Sequence, residues 1–127
     1  MAGQPFPKAS QLARGERRYR RKVASPKQWQ AIIEAKRGPC RVCSTFEGMG
    51  IFREGLEYHH LVARSAGGDD VQDNIVPLHP TCHERVTRGN AEARYLLGDG
   101  LTEAERAYVV GKLGESGMER LFGVGRT

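Results

Sequence analysis

Seven side chains able to bind a metal or move a proton crowd into one stretch of this chain. Cys40, Cys43, His59, His60, His79, Cys82 and His83 are all of its cysteines and all of its histidines. Three cysteines cannot all pair as disulfides, and the spacing of Cys40-x-x-Cys43 is that of a metal knuckle. His79-x-x-Cys82 repeats the spacing, so the four residues supply the closed nitrogen and sulfur set of a structural zinc site. Such a site contributes roughly 10 to 16 kcal/mol of apparent binding energy to folding, enough to decide whether a small domain folds. His59 and His83 remain for a second metal with positions open to water and phosphate oxygens. His59 and His60 are adjacent, and neighbours on a strand face opposite ways, so the two need not share a role.

The order of these residues carries a resemblance. The paired His59-His60, the Gly67-Gly68 loop, Asn74 ahead of an apolar strand, and Cys82-His83 entering a helix resemble the HNH endonucleases, the ββα-metal class, in their compact phage-type form with structural zinc. The match covers about residues 38 to 88. It implies that His59 and His83 ligate the catalytic metal and that His60 is the general base. It further implies that Asn74 hydrogen-bonds the intervening loop and so holds the base. Imidazole suits the base's task because its unperturbed pKa of about 6.5 leaves an accepting nitrogen near neutral pH. The implied reaction is phosphodiester hydrolysis in DNA, leaving 5′-phosphate and 3′-hydroxyl ends. Imidazole ligands favour Mn2+, Ni2+, Co2+ or Zn2+, and Mg2+ serves in related enzymes.

Two positions depart from the family pattern. Ala63 stands where many relatives have proline, and His79 stands where the familiar ending has a cysteine. His79 and His83 are four apart where a helix begins, so they can share a face and, with His59, build a three-histidine catalytic site. That arrangement would leave Cys40, Cys43 and Cys82 one ligand short; the structural role for His79 is preferred.

The elements that must position these side chains are legible in outline. Ser25-Pro26 has the form of an N-cap with proline at the first helical position, opening a helix over about 26–37 with Trp29, Ile32 and Ile33 on its buried face. Gly38-Pro39 ends it before the knuckle. Ile51 to His60 is β-compatible, with a turn at Glu54-Gly55 and a strand over 56–61. Residues 74–78 form a second strand, and Pro80 starts a helix to about Val86, completing a ββα unit. Helices over 91–97 and 102 to about 113 follow, the latter opened by the capping-box pattern Thr102-x-x-Glu105, and residues 114–127 are rich in glycine. The fold class is α+β: a small ββα-metal core with a zinc knuckle, flanked by helices. Residues 1–24 are a basic arm, 25–90 the nuclease core and 91–127 a helical extension, within a single domain overall.

Charge is divided unevenly along the 127 residues. Residues 1–37 hold ten Lys and Arg against two Glu, and the remainder holds ten against thirteen acidic residues. The basic front suits a polyanion, since each neutralised phosphate releases counterions. Arg17, Arg18, Arg20, Arg21 and Lys22 are the expected DNA contacts, joined by Arg64 and Arg85 flanking the site. No apolar run approaches the roughly 20 residues of a membrane span, and the first residues lack the apolar stretch of a secretory signal. A cytoplasmic location, in a host cell if phage-encoded, is the resulting expectation, with DNA and a phage terminase as partners. Two rival readings are a zinc module that binds DNA without cutting it and a nuclease or toxin directed at RNA.

Overall fold

The computed structural model describes residues 20–46 and 55–123. In chain order these form helix α1 (Pro26–Lys36), strands β1 (Glu57–His60) and β2 (Ile75–Leu78), then helices α2 (Pro80–Thr87), α3 (Ala91–Asp99) and α4 (Glu103–Phe122). The strands pair antiparallel with Glu57 opposite Leu78 and His60 opposite Ile75. Helix α2 follows β2 after one residue, so β1, β2 and α2 make the expected ββα unit. The expected turn at Glu54-Gly55 falls partly outside the described residues.

Local chemistry sets the helix ends. Ser25 Oγ accepts from the Gln28 amide while Gln28 Oε1 accepts from the Ser25 amide, satisfying two amides at the start of α1. Asn90 caps α3 by accepting from Ala93 N. The Thr102–Glu105 capping box opens α4 as its spacing predicts.

One apolar cluster unites the knuckle, the sheet and the later helices. Cys40, Leu78 and Cys82 pack in the same cluster as Val86, Leu97 and Met118. Strand β2 is buried along its whole length, which explains its unbroken apolar sequence. Two expectations are corrected here. In α1 only Ile32 is buried; Trp29 is half-exposed, its indole stacked on the His60 ring at 5.8 Å between centroids. The last helix does not end near Leu113. Gly114 breaks the helix with φ 77°, and the chain resumes helical geometry to Phe122, which buries Met118 and Phe122.

Glu105 pins this assembly together. It is fully buried, yet its carboxylate meets Arg41 through two bonds of 2.6 and 2.9 Å and Lys36 at 2.5 Å. Burial alone would raise its pKa; the bonds from Arg41, Lys36 and the Thr102 amide outweigh that and hold it at about 2. The depressed folded value means the contribution is complete above the ordinary value of 4.5 and fades as pH falls toward 2. Glu105→Gln should therefore lower unfolding free energy at pH 7 by on the order of 3 kcal/mol, measured by denaturant titration of the zinc-loaded protein.

Candidate active site and metal centres

The knuckle begins where Gly38-Pro39 ends α1. Cys40 N donates to Thr45 O and Ser44 N to Cys40 O, both at 2.8 Å, closing a tight turn, and Arg41 N donates to Pro77 O to dock that turn on β2. This brings Cys40 and Cys43 beside His79 and Cys82 at the head of α2. Ligand atoms of all four lie within 4.8 Å of one another. His79 N and Val42 N both donate to Cys40 Sγ at 3.4 Å. His79 Nε2 is 3.2 Å from the Phe46 carbonyl, which can only accept, so Nδ1 keeps its lone pair and points at Cys43 Sγ, 3.2 Å away. Burial and the neighbouring thiols push Cys82 up to about 12. Burial also works against ionising Cys43, but bonds from Thr45 and then Cys40 hold it down at about 7. A divalent cation reconciles three crowded thiols with one imidazole by taking them as thiolates, and the Cys3His donor set fits zinc. His79 lies with the cysteines, not with the other histidines, which favours the structural alternative over the three-histidine one.

His59 and His83 meet apart from the knuckle. His59 Nδ1 and His83 Nε2 are 3.1 Å apart with their rings edge to face. His83 Nδ1 lies 2.8 Å from Glu57 Oε1. An ionised carboxylate only accepts, so that nitrogen bears the proton and Nε2 is left free to ligate. Burial, then the charge that His83 and His60 carry when protonated and that of Arg94, lowers His59 to about 3, so its ring is neutral with a lone pair to offer. Two imidazole nitrogens at this separation can both lie at about 2.1 Å from one ion.

His60 turns away from that pair. Its Nε2 is 2.8 Å from Asp70 Oδ1 and its face lies against Trp29. Both histidines border an open cleft lined also by Trp29, Tyr58, Arg64 and His83.

Asn74 is fully buried and spends its amide on the loop. It accepts from Val62 N at 2.7 Å and donates to Val62 O and Asp69 O at 3.1 and 2.9 Å. The loop is fastened directly behind the strand that carries His60, and Asn74 itself does not bond the imidazole. Gly67 supplies φ 89° at the turn, and a Cβ on Gly68 would stand 1.7 Å from Val62 O, so the backbone can close here only through glycine.

Residues 40–89 match the family model described as HNH endonuclease. This segment is similar to the HNH endonucleases. Over 63 residues the chain is 35% identical to the type IV methyl-directed restriction enzyme EcoKMcrA of Escherichia coli strain K12, a match covering 47% of this chain and 22% of that protein. The chain thus spans about a fifth of the curated relative it matches.

Three side chains at this site, Glu57, Asp70 and Trp29, are not singled out by the sequence. Glu57 shares a strand face with His59 by the two-residue period of a strand, a signal that was available. Asp70 stood beside the glycine pair, but nothing in its spacing tied it to His60. Helical periodicity assigns Trp29 to the core, whereas it stacks on His60.

The expected DNA-contacting residues differ in their surroundings. Arg17 and Arg18 lie outside the described residues. Arg20 and Lys22 are exposed. Arg64 sits at the rim of the cleft on a single 3-10 turn (Arg64–Ala66). Arg85 reaches Asn90 and Glu92, each at 3.2 Å. Arg21 is turned inward, with Nη2 2.6 Å from Asp70 and Nε 2.8 Å from Gly68 O.

Among the described residues, no helix is long and apolar enough to cross a membrane.

Proposed function

We propose that this chain is a metal-dependent DNA endonuclease in which His60 is the general base and His59 with His83 hold the catalytic ion. The carrying observation is that two imidazole nitrogens converge at 3.1 Å while the neighbouring ring, on the opposite face of β1, borders the same cleft. When bound, a divalent ion there supplies positive charge to the pentacovalent phosphorus and to the departing 3′ oxygen.

His60 takes a proton from a water held in the cleft, and that water attacks phosphorus in line. Asn74 keeps the loop behind His60 in register, so the base does not move when the substrate enters. Arg64, exposed at the cleft rim, contacts a substrate phosphate; Arg20 and Lys22, with Arg17 and Arg18 before them, extend the path of positive charge. The products carry 5′-phosphate and 3′-hydroxyl ends. Mn2+, Ni2+, Co2+ and Zn2+ match the imidazole ligands, and Mg2+ is the oxygen-preferring alternative.

The relative's description as a restriction enzyme favours restriction as the biological role. Genome packaging with a phage terminase rests on the resemblance of the sequence alone. Incubating the zinc-loaded protein with supercoiled plasmid, single-stranded DNA and RNA across these ions tests the reading. Nicked or linear plasmid bearing 5′-phosphates is expected. Cleavage of RNA alone would make the chain an RNA-directed nuclease, and DNA binding without cleavage under every ion would make it a zinc DNA-binding module.

A further inference from the structure

We infer that Asp70 is the positioning residue of the base, holding His60 with its proton on Nε2 so that Nδ1 is the accepting nitrogen, and that Arg21 holds Asp70 in turn. The inference rests on the reading of His60 as base. Its geometry stands on contacts that no part of the proposed reaction uses.

Asp70 has a side chain only 3% exposed, and its two oxygens are fully engaged. Oδ1 lies 2.8 Å from His60 Nε2 and 2.6 Å from Arg21 Nη2, and Oδ2 accepts from Ala24 N at 2.9 Å. Arg64 Nε stands 3.6 Å from Oδ1. Burial would raise the carboxyl's pKa, but the Ala24 amide, His60 and the two guanidinium groups outweigh it and keep Asp70 ionised. An ionised carboxylate cannot donate, so His60 Nε2 must carry the hydrogen, and a neutral imidazole so arranged has its lone pair on Nδ1. Trp29 stacks within 11° of parallel to the ring, which limits the ring rotation that would swing Nε2 away from Asp70.

The segment ahead of α1 is built into this clamp. Asp70 N donates to Lys22 O at 2.8 Å and Lys22 N to Asp69 Oδ1 at 2.6 Å, so the chain runs alongside the loop. The two adjacent acids divide their work. Asp69 accepts from Tyr108 Oη at 2.6 Å and pairs with Lys112 at 3.2 Å, fastening the loop to α4. Asp70 faces the base. Arg21 therefore neutralises a carboxylate at the site before it meets any phosphate.

Asp70→Asn in the full chain keeps the size of the side chain and removes the charge. Plasmid nicking at saturating metal should show kcat reduced about 100-fold, with KM for DNA and zinc content within about twofold of wild type. In a His60→Ala background the same change should cost nothing further. Arg21→Gln should lower kcat about 10-fold, and Arg21→Lys should restore part of it. Long-range 15N–1H spectra of the wild-type zinc-loaded protein should show His60 protonated on Nε2, a readout that needs no variant to fold. A wild-type His60 protonated on Nδ1, an unchanged kcat in Asp70→Asn, or an equal loss in the His60→Ala background would overturn the inference. If His60→Ala itself cuts normally, the assignment of the base fails; if it is inactive while Asp70→Asn is normal, only the positioning role fails.

Discussion

Replacing Cys82 with serine should cost the chain its zinc and, with it, its folded state. Cys82 is fully buried at the head of α2, and its sulfur is one of four ligand atoms gathered from the knuckle and the start of that helix. Removing it leaves Cys40, Cys43 and His79 crowded together in the core with no counter-charge to share. Structural zinc contributes roughly 10 to 16 kcal/mol of apparent binding energy, against a total stability of about 5 to 15 kcal/mol for an ordinary domain. Loss of the ion is thus comparable with the whole stability of the fold. The cysteines also belong to the apolar cluster that seats α3 and α4, so unfolding should not stay local. Metal analysis and far-ultraviolet circular dichroism on the variant should show the zinc gone and the cooperative thermal transition lost. A variant without zinc that melts as the wild type does would show that packing alone holds the knuckle.

His60→Ala should reduce DNA cleavage by about 100- to 10,000-fold, the usual contribution of general-base catalysis, while leaving zinc content and DNA affinity close to wild type. The imidazole is a partner of Asp70 and Trp29 and not of the His59–His83 pair. On the proposed mechanism its loss removes the proton acceptor without removing a ligand. Trp29 is the only tryptophan in the chain, so a change in its fluorescence would report that the stacked ring has gone. Ordinary nicking rates in this variant would take the role of base away from His60.

The sequence reading succeeded where short-range rules govern. Ligand spacing paired Cys40-x-x-Cys43 with His79-x-x-Cys82, and cap chemistry placed the starts of α1 and α4 at Ser25 and Thr102. Both signals lie within four residues, so they survive without knowledge of the fold. It fell short where a side chain answers to a distant partner. Arg21 reads as one more charge in a basic run, yet 49 residues separate it from the carboxylate it meets. Trp29 has the periodicity of a core residue, but its face of α1 meets the end of β1 and not the apolar cluster. The pattern of α4 runs out near Leu113, since one left-handed glycine at 114 looks in sequence like the end of a helix. Glu105 fits its capping box, and nothing local announces that Arg41 and Lys36 reach the same carboxylate.

Bound metal and plasmid cleavage, measured on the same preparations of wild type and His83→Ala, test the pairing of His59 with His83 most directly. Wild type should hold one tightly bound zinc that survives brief chelation and one exchangeable ion per chain, with nicking that appears only when the second is supplied. His83→Ala should keep the zinc, since His83 is not among the four clustered ligands, and should lose both the exchangeable ion and the nicking. A His83→Ala protein that still binds two ions and cuts plasmid, or a wild type that cuts with the zinc alone, would contradict the account.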